Sequence, residues 1–181
     1  MTKNKKVVTG IIVTAVLLYM FRKQLATALN KTPFGSVSDK LFNLISGFEG
    51  FDQVAVYDVN GYAVGYGSHY NWDAKRPVQK GDIITKDTAK QWLLNEAQQN
   101  FSFVKSIVKV PINDNQLIAL SSFAYNVGNG ALQNSTLLKY LNNGVDKQTV
   151  ANEFDKWTLA GGVVNNGLKN RRKAEKALFL S

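Results

Sequence analysis

Cysteine is absent from the sequence, and histidine occurs only once, as His69. The chain therefore forms no disulfide, and no thiolate can act as a nucleophile or a metal ligand. A single histidine also argues against a histidine-built metal site and against a Ser-His-Asp triad. Any acid–base chemistry is expected to rest on carboxyl groups, and no metal or cofactor is predicted. Hydrophobic residues make up 45% of the chain, which is enough for a core and excludes a disordered protein.

Acidic residues are lacking at one end of the chain. Residues 32–181 hold 16 basic and 13 acidic residues, so most of the formal net charge of +9 belongs to the N-terminal segment. A nucleic-acid-binding domain needs a basic face on its folded part, so no nucleic-acid partner is expected. The basic residues of segment 1–31, which has no acid, are Lys3, Lys5, Lys6, Arg22, Lys23 and Lys31.

A 15-residue run without charge spans residues 7–21 and is followed by Arg22 and Lys23. As a helix it would be ~22 Å long, which is shorter than the roughly 30 Å hydrocarbon core of a bilayer. Snorkelling basic side chains and local thinning can make up the difference. We favour a signal-anchor over residues 1–23 that stays in the chain and binds a membrane through residues 7–21.

Two other interpretations of this run are weaker. A cleaved signal peptide would use Ala26-Thr27-Ala28 as an A-x-A site, but Arg22 and Lys23 stand between the run and that site. A buried core helix is disfavoured because the run has no polar face. Residues 24–36 predict a linker, with Pro33 and Gly35 as breakers. The remaining residues, 37–181, are predicted to form a single domain.

The domain begins with a helical pattern and then changes period. An apolar stripe from Leu41 to Phe48 predicts a helix that Ser36 or Ser38 caps and Gly50 ends. Residues 51–68 are rich in valine, tyrosine and glycine, and Asn60-Gly61 is typical of a hairpin turn. Later helices are predicted after Thr85, after Asn113 or Asp114, after Ser135, and over residues 149–157 and 168–180. The fold class is therefore α+β, mainly helical, with a small antiparallel β-element near the start of the domain.

Two carboxyl groups in contrasting surroundings form the first candidate site. Glu49 closes the first helix between Phe48 and Phe51, and both the apolar neighbours and the negative helix end favour its protonated form. Asp58 lies nine residues later, beside the predicted turn, where it should be solvated and ionised. Glycoside hydrolysis uses such a pair: a protonated acid for the leaving oxygen, and an anion that activates water or stabilises the oxocarbenium ion.

The segment from Glu49-Gly50 through Asp58 to the turn at residues 65–69 (GYGSH) resembles the catalytic stretch of phage-type lysozymes, glycoside hydrolase family 24. Three further stretches resemble the same family in the same order. They are residues 116–128 (QLIALSSFAYNVG), residues 134–144 (NSTLLKYLNNG), and a C-terminal group with FDKW at 154–157, AGG at 160–162, Gly167-Leu168, and Arg171 and Arg172 with Glu175. The resemblance covers about residues 38–180 and implies a lysozyme-like fold.

The resemblance also implies roles for individual residues. Glu49 would be the general acid, and Asp58 would position or activate the attacking water or shield the developing cation. One of Arg171 and Arg172 would orient Glu49, and the sequence leaves open which of them does so. Asn126 is a candidate sugar contact, with a helix C-cap as its alternative role. Tyr66 and His69 are counted as supporting residues, His69 as the hydrogen-bond partner of a nearby acid.

One position departs from the family pattern. The family has a threonine shortly before the glycine turn, whereas Ala63 stands there in this chain, and the span from Asp58 to Gly65 is one residue shorter. Alanine cannot hydrogen-bond a water molecule through its side chain. Ser68 or Tyr62 is a candidate substitute hydroxyl.

The function implied by the resemblance is a monomeric muramidase acting on peptidoglycan glycan strands, for cell lysis or wall penetration by a phage. Lysozymes of one known type carry a weak N-terminal anchor and are later released from the membrane. The catalytic domain would then face the cell wall. A lytic transglycosylase, which needs only the acid, and a catalytically inactive wall-binding or virion structural protein remain the alternatives.

Overall fold

The computed structural model of the protein describes residues 34–181. Residues 36–181 form one compact unit. The predicted membrane segment, the A-x-A site and most of the predicted linker therefore lie outside the described residues. Within residues 34–181, no helix combines the length and the apolar character that a membrane crossing requires.

The described residues form a mainly helical α+β fold, which confirms the predicted class. The helices are α1 Phe34–Glu49, α2 Lys86–Ile107, α3 Asp114–Val127, α4 Asn129–Gln133, α5 Thr136–Asn142, α6 Lys147–Asn152 and α7 Asn166–Leu180, with a 3₁₀ helix Glu153–Lys156 before α7. Antiparallel two-stranded sheets pair β1 Asp52–Asp58 with β2 Gly61–Gly65, β3 Tyr70–Asn71 with β4 Arg76–Pro77, and β5 Leu159–Ala160 with β6 Val163–Val164.

Helix α1 begins earlier than the sequence pattern indicated. It starts at Phe34, within the range predicted as a linker, so neither Ser36 nor Ser38 is its N-terminal cap. The other end agrees with the prediction, because the helix stops at Glu49 and Gly50 adopts a φ of +69°, the left-handed conformation that ends many helices.

Helix α3 forms the centre of the helical part of the domain. Its residues from Leu117 to Ala124 are all buried, and it packs against both α2 and α7. A helix that is buried on every side has no polar face to place it at the surface. Around one end, the ring of Phe123 meets the rings of Phe154 and Trp157 edge-on, each at a centroid distance of 5.3 Å.

The predicted helix starts at Thr85, Asn113 and Ser135 are confirmed. Each side chain accepts a hydrogen bond from the backbone amide three residues later, and Asn113 forms a reciprocal capping box with Gln116. The predicted helix over 149–157 is split, since α6 ends at Asn152 and a 3₁₀ turn follows.

The β1–β2 hairpin carries Asp58, the second carboxyl of the candidate site, to its exposed tip. Asp58 pairs with Gly61 at the end of the ladder, and Asp52 pairs with Gly65 at its base, with a register shift between. Most residues of β1 are exposed, whereas Val64 on β2 joins an apolar cluster with Trp92 of α2. The hairpin therefore rests on α2 through β2.

Candidate active site

Glu49 ends α1, and its two carboxyl oxygens have different neighbours. Arg171 of α7 donates a hydrogen bond from Nη1 to Oε1 of Glu49. On the other side, a Cβ atom added to Gly67 would lie 3.9 Å from Oε2, so this turn passes directly against the carboxyl. The Glu49 side chain keeps 23% of its surface exposed, compared with 3% for Arg171. The carboxyl is therefore partly accessible from the surface, whereas its arginine partner is not.

Arg171 is itself fixed by a buried polar cluster between α3 and α7. Its Nε donates to Oε1 of Glu175 at 3.2 Å, and its Nη2 donates to the carbonyl of Ser122 at 3.3 Å. The hydroxyl of Ser122 donates to the same Glu175 oxygen at 2.7 Å. Because Arg171 contacts both Glu49 and Glu175, its positive charge is shared between two carboxyl groups.

Arg172 completes this cluster but faces away from Glu49. Its Nε lies 2.8 Å from Oε2 of Glu175, and its guanidinium carbon lies 4.7 Å from the ring centroid of Phe123. Burial lowers the pKa of Arg172, and burial also raises the pKa of Glu175, although the neighbouring arginines act against that rise. The structure thus brings Arg171, and not Arg172, to the candidate acid.

Asp58 is engaged at the exposed end of the hairpin. Its Oδ1 accepts a hydrogen bond from the amide of Asn60 at 2.7 Å, and its Oδ2 lies 3.4 Å from Nε2 of His69. Nδ1 of His69 lies 3.1 Å from the carbonyl oxygen of Tyr62. His69 is therefore oriented by the backbone and presents its other nitrogen to Asp58.

The structure leaves no side-chain hydroxyl at position 63. Ala63 is buried on β2 and pairs with Val56 across the hairpin. The hydroxyl of Ser68 lies 2.5 Å from Oε1 of Glu96 and 2.9 Å from the carbonyl of Tyr70, so it is held by partners other than the two candidate carboxyls. Whether Ser68 or Tyr62 takes the place of the family threonine stays a prediction. Tyr62 packs its ring against Tyr57.

Tyr66 and Tyr125 connect this turn to α3. The ring of Tyr66 packs against Phe42 and Phe51, with centroid distances of 5.5 Å to each. The hydroxyl of Tyr125 lies 3.4 Å from the carbonyl of Tyr66 and 3.3 Å from Oε2 of Glu96. Burial, together with the nearby carboxyl groups, raises the pKa of Tyr125 well above its usual range, so its phenol remains a donor.

Asn126 is exposed at the end of α3. Its Oδ1 accepts a hydrogen bond of 3.0 Å from Arg172, while the helix is closed by the backbone amide of Gly128. The alternative role as a C-cap is thus not the one that its side chain takes. Asn126 also lines an open pocket of about 420 Å³ together with Lys156, Trp157 and Leu168.

Two residues at the site were missed by the sequence analysis, Glu96 and Tyr125. Glu96 follows the apolar residues Trp92 and Leu93 by four and three positions, which places it on the buried face of α2. A carboxyl group on such a face needs hydrogen-bond donors, and that signal could have identified it.

Within residues 34–181, no group of three or more histidine, aspartate or glutamate side chains is arranged to hold a metal ion.

Comparison with known proteins gives one family. The sequence profile of that family, described as phage lysozyme, matches residues 46–175. The chain is 44% identical over 149 residues to the endolysin of Bacillus phage B103, covering 81% of this chain and 54% of that protein. It is 37% identical to the endolysin of Acyrthosiphon pisum secondary endosymbiont phage 1, covering 80% of this chain and 98% of that protein. The SAR-endolysin of Enterobacteria phage P21 is 31% identical, with coverage of 74% and 78%.

Solved structures agree with this result. The endolysin from Escherichia coli O157:H7 phage FAHEc1 superposes with a TM-score of 0.71 at 35% identity, covering 78% of this chain and 91% of that one. The muramidase domain of SpmX from Asticaccaulis excentricus superposes with a TM-score of 0.70 at 31% identity, covering 78% and 95%. The chain spans about half the length of the Bacillus phage endolysins that it matches.

Proposed function

The chain belongs to the phage lysozyme family, and from this premise we propose that it is a muramidase. The reaction is hydrolysis of the β-1,4 bond between N-acetylmuramic acid and N-acetylglucosamine in peptidoglycan. The observation that carries the proposal is the placement of Glu49, which lies at a helix end with one oxygen bound by a buried arginine and the other beside a glycine turn. Family membership supports the substrate class.

In this proposal, Glu49 gives its proton to the oxygen of the scissile bond. Arg171 occupies Oε1, so the proton is delivered from Oε2, the oxygen on the side of Gly67. The absence of a Cβ atom on Gly67 leaves room for a sugar ring to approach this oxygen. Asp58, the second carboxylate, then activates water or stabilises the positive charge that develops at the anomeric carbon.

The test is the clearing of purified peptidoglycan by the full-length protein and by its Glu49→Gln variant. Glutamine keeps the size of the side chain and can still accept the Arg171 hydrogen bond, but it has no acidic proton to transfer. We expect the rate to fall by at least ~100-fold, as for loss of a general acid. Glu153→Gln is the matched control, because Glu153 is a buried glutamate that pairs with Lys156 instead. Clearing by Glu49→Gln at the rate of the control would refute the assignment.

A second candidate activity is that of a lytic transglycosylase. The observation in its favour is the buried Ala63, which has no hydroxyl to hold an attacking water molecule, while the nearby Ser68 hydroxyl already donates to Glu96. The mass of the released muropeptides separates the two activities. A hydrolase yields products that have gained one water, whereas a transglycosylase yields anhydro products that are lighter by one water. If neither product forms with any wall tested, the wall-binding or virion structural role gains the support.

We also propose that residues 7–21 anchor the protein to a membrane, with residues 37–181 facing the cell wall. The uncharged run supports this proposal, as does the similarity to proteins named SAR-endolysins. The full-length protein should sediment with membranes and resist extraction at high pH, and deletion of residues 7–21 should release it. A soluble protein whose intact mass lacks residues 1–28 would instead indicate a cleaved signal peptide. Size-exclusion chromatography of the released protein should give a monomer.

A further inference from the structure

Glu96 of α2 gathers three hydrogen-bond donors around one half-buried carboxyl group. Ser68 and Trp72 donate to its Oε1 at 2.5 and 3.0 Å, and the hydroxyl of Tyr125 lies 3.3 Å from its Oε2. An ionised carboxylate only accepts hydrogen bonds and has about four lone-pair sites, so all three donors can be accommodated. The donors come from the turn after β2, the loop after β3 and helix α3. Glu96 therefore joins three separate parts of the domain.

Two of these donors lie beside residues that neighbour the candidate acid. Ser68 follows Gly67, the residue that lies against Oε2 of Glu49. The ring of Tyr125 lies 5.9 Å from the guanidinium carbon of Arg171, which binds Oε1 of the same carboxyl. Glu96 thus supports a neighbour of Glu49 on each of its two oxygens.

The turn between β2 and Ser68 has little freedom apart from this support. Ser68 and Val64 exchange backbone hydrogen bonds of 3.0 Å in both directions. Gly65 has a φ of +69°, and a Cβ atom at that position would lie only 2.9 Å from the Cβ of Ala89 on α2. The turn therefore packs tightly on α2 and behaves as a stiff unit. Because it is stiff, the hydrogen bond between Ser68 and Glu96 can fix the distance between the whole turn and Glu49.

We propose that Glu96 is a positioning residue for the candidate acid, acting through Ser68 on one side of Glu49 and through Tyr125 and Arg171 on the other. This inference rests on the proposed function of Glu49. It predicts that loss of the Glu96 hydrogen bonds lowers kcat more than it raises KM. The reason is that displacement of a catalytic group by about 1 Å can cost ~100-fold in rate.

The experiment measures kcat and KM of the full-length protein on a concentration series of purified peptidoglycan. Glu96→Leu removes all acceptors and should lower kcat by about 10- to 100-fold, with KM changed by less than about twofold. Glu96→Gln keeps an acceptor for Ser68 and Trp72, and its amide can donate to the Tyr125 oxygen while the phenol turns to the carbonyl of Tyr66. The kcat of this variant should stay within about threefold of the wild-type value. If Glu96 acted through its negative charge alone, Glu96→Gln would lose as much activity as Glu96→Leu.

Smaller changes keep the proposal testable if Glu96→Leu does not fold. Ser68→Ala and Tyr125→Phe each remove one hydroxyl, and each should lower kcat by about three- to tenfold with little change in KM. Thermal unfolding of every variant establishes that the protein is folded at the assay temperature. Glu153→Gln and Glu153→Leu are the matched controls, because Glu153 pairs with Lys156 and should leave kcat unchanged.

The inference is overturned if folded Glu96→Leu, or both hydroxyl variants, keep the kcat of the wild-type protein. It is also overturned if the variants change only KM, or if Glu96→Gln and Glu96→Leu lose kcat equally. Glu49→Gln is measured in parallel to separate the two proposals. If Glu49→Gln is inactive while the Glu96 variants match the wild type, only the positioning role fails. If Glu49→Gln remains active, the proposed function fails first.

Discussion

The two carboxyl groups of the candidate site are held in contrasting ways. Glu49 is bound by Arg171, whose side chain is 3% exposed and is fixed in turn by the fully buried Glu175. The side-chain partner of Asp58 is His69, whose Nε2 lies 3.4 Å from Oδ2, and the two side chains are 44% and 41% exposed. Water screens an exposed pair and leaves it little net energy, whereas a buried charge without its partner is costly. The acid is therefore preorganised by the core, while the second carboxyl depends on local backbone contacts.

The largest effect is expected when the buried cluster loses its acid. Glu175→Leu leaves Arg171 and Arg172 facing each other in the core, which should destabilise the protein by ~3–5 kcal/mol. Urea denaturation followed by circular dichroism measures this loss. Asp155→Leu is the matched control, because the Asp155 side chain is 56% exposed in its pair with Lys176, and exposed pairs are worth roughly 0–1 kcal/mol. Equal losses in the two variants would remove the distinction between buried and exposed pairs.

The next effect tests whether the buried arginine acts by geometry as well as by charge. Arg171→Lys keeps one positive charge but cannot bind Glu49, Glu175 and the Ser122 carbonyl from a planar fork. We expect kcat on purified peptidoglycan to fall by about 10- to 100-fold. Arg172→Lys, in which the substituted residue faces Asn126 and not Glu49, should lose less activity. A larger loss for Arg172→Lys would contradict the assignment of Arg171.

A smaller effect concerns the pH dependence of stability at the ion pair between Arg76 of β4 and Asp82. Arg76 binds Asp82 through two hydrogen bonds of 2.8 Å and, with the Gln79 amide, holds the pKa of Asp82 well below its usual range. Asp82 therefore contributes stability above the pKa of the unfolded carboxyl, near 4, and that stability is lost as the pH falls further. The Tm of Asp82→Asn in thermal unfolding should be lower than that of the wild type at pH 7. The difference between the two Tm values should narrow below about pH 4. A difference that is constant with pH would contradict this.

The smallest effect is expected at the exposed carboxyl. His69→Gln removes a contact of 3.4 Å between half-exposed side chains, while the Asn60 amide still binds Asp58. We expect kcat to fall by no more than about threefold, as for a solvent-screened pair. A loss comparable to that of Arg171→Lys would show that both carboxyls need rigid partners.

Much of the helical framework could be predicted from the sequence because its signals are local. Thr85, Asn113 and Ser135 cap helices through their own side chains, and Gly50 supplies the backbone conformation that ends α1. The strands β3 to β6 have two residues each, too few to show an alternating pattern. Gly35 was interpreted as a helix breaker but lies within α1, because the burial of Val37, Leu41 and Ile45 outweighs its weak local preference.

The candidate site was predictable in its residues but not in its contacts. Adjacent residues of a helix point about 100° apart, so Arg171 and Arg172 cannot both reach Glu49, and only the packing of α7 on α3 decides between them. The engagement of Ser68 by Glu96 is likewise set by a contact across 28 residues of sequence. Such long-range pairs leave no periodic trace in a single sequence.

The measurement that tests the central claim most directly is the kcat of Glu49→Asp on purified peptidoglycan, beside Glu49→Gln. Aspartate keeps the carboxyl group but withdraws it by one methylene from Arg171 and from the turn at Gly67. If the acid works because the core fixes its position, Glu49→Asp should lose at least ~100-fold in kcat while remaining folded. Activity of Glu49→Asp within about tenfold of the wild type would contradict the account, since a carboxyl group without that placement would then suffice.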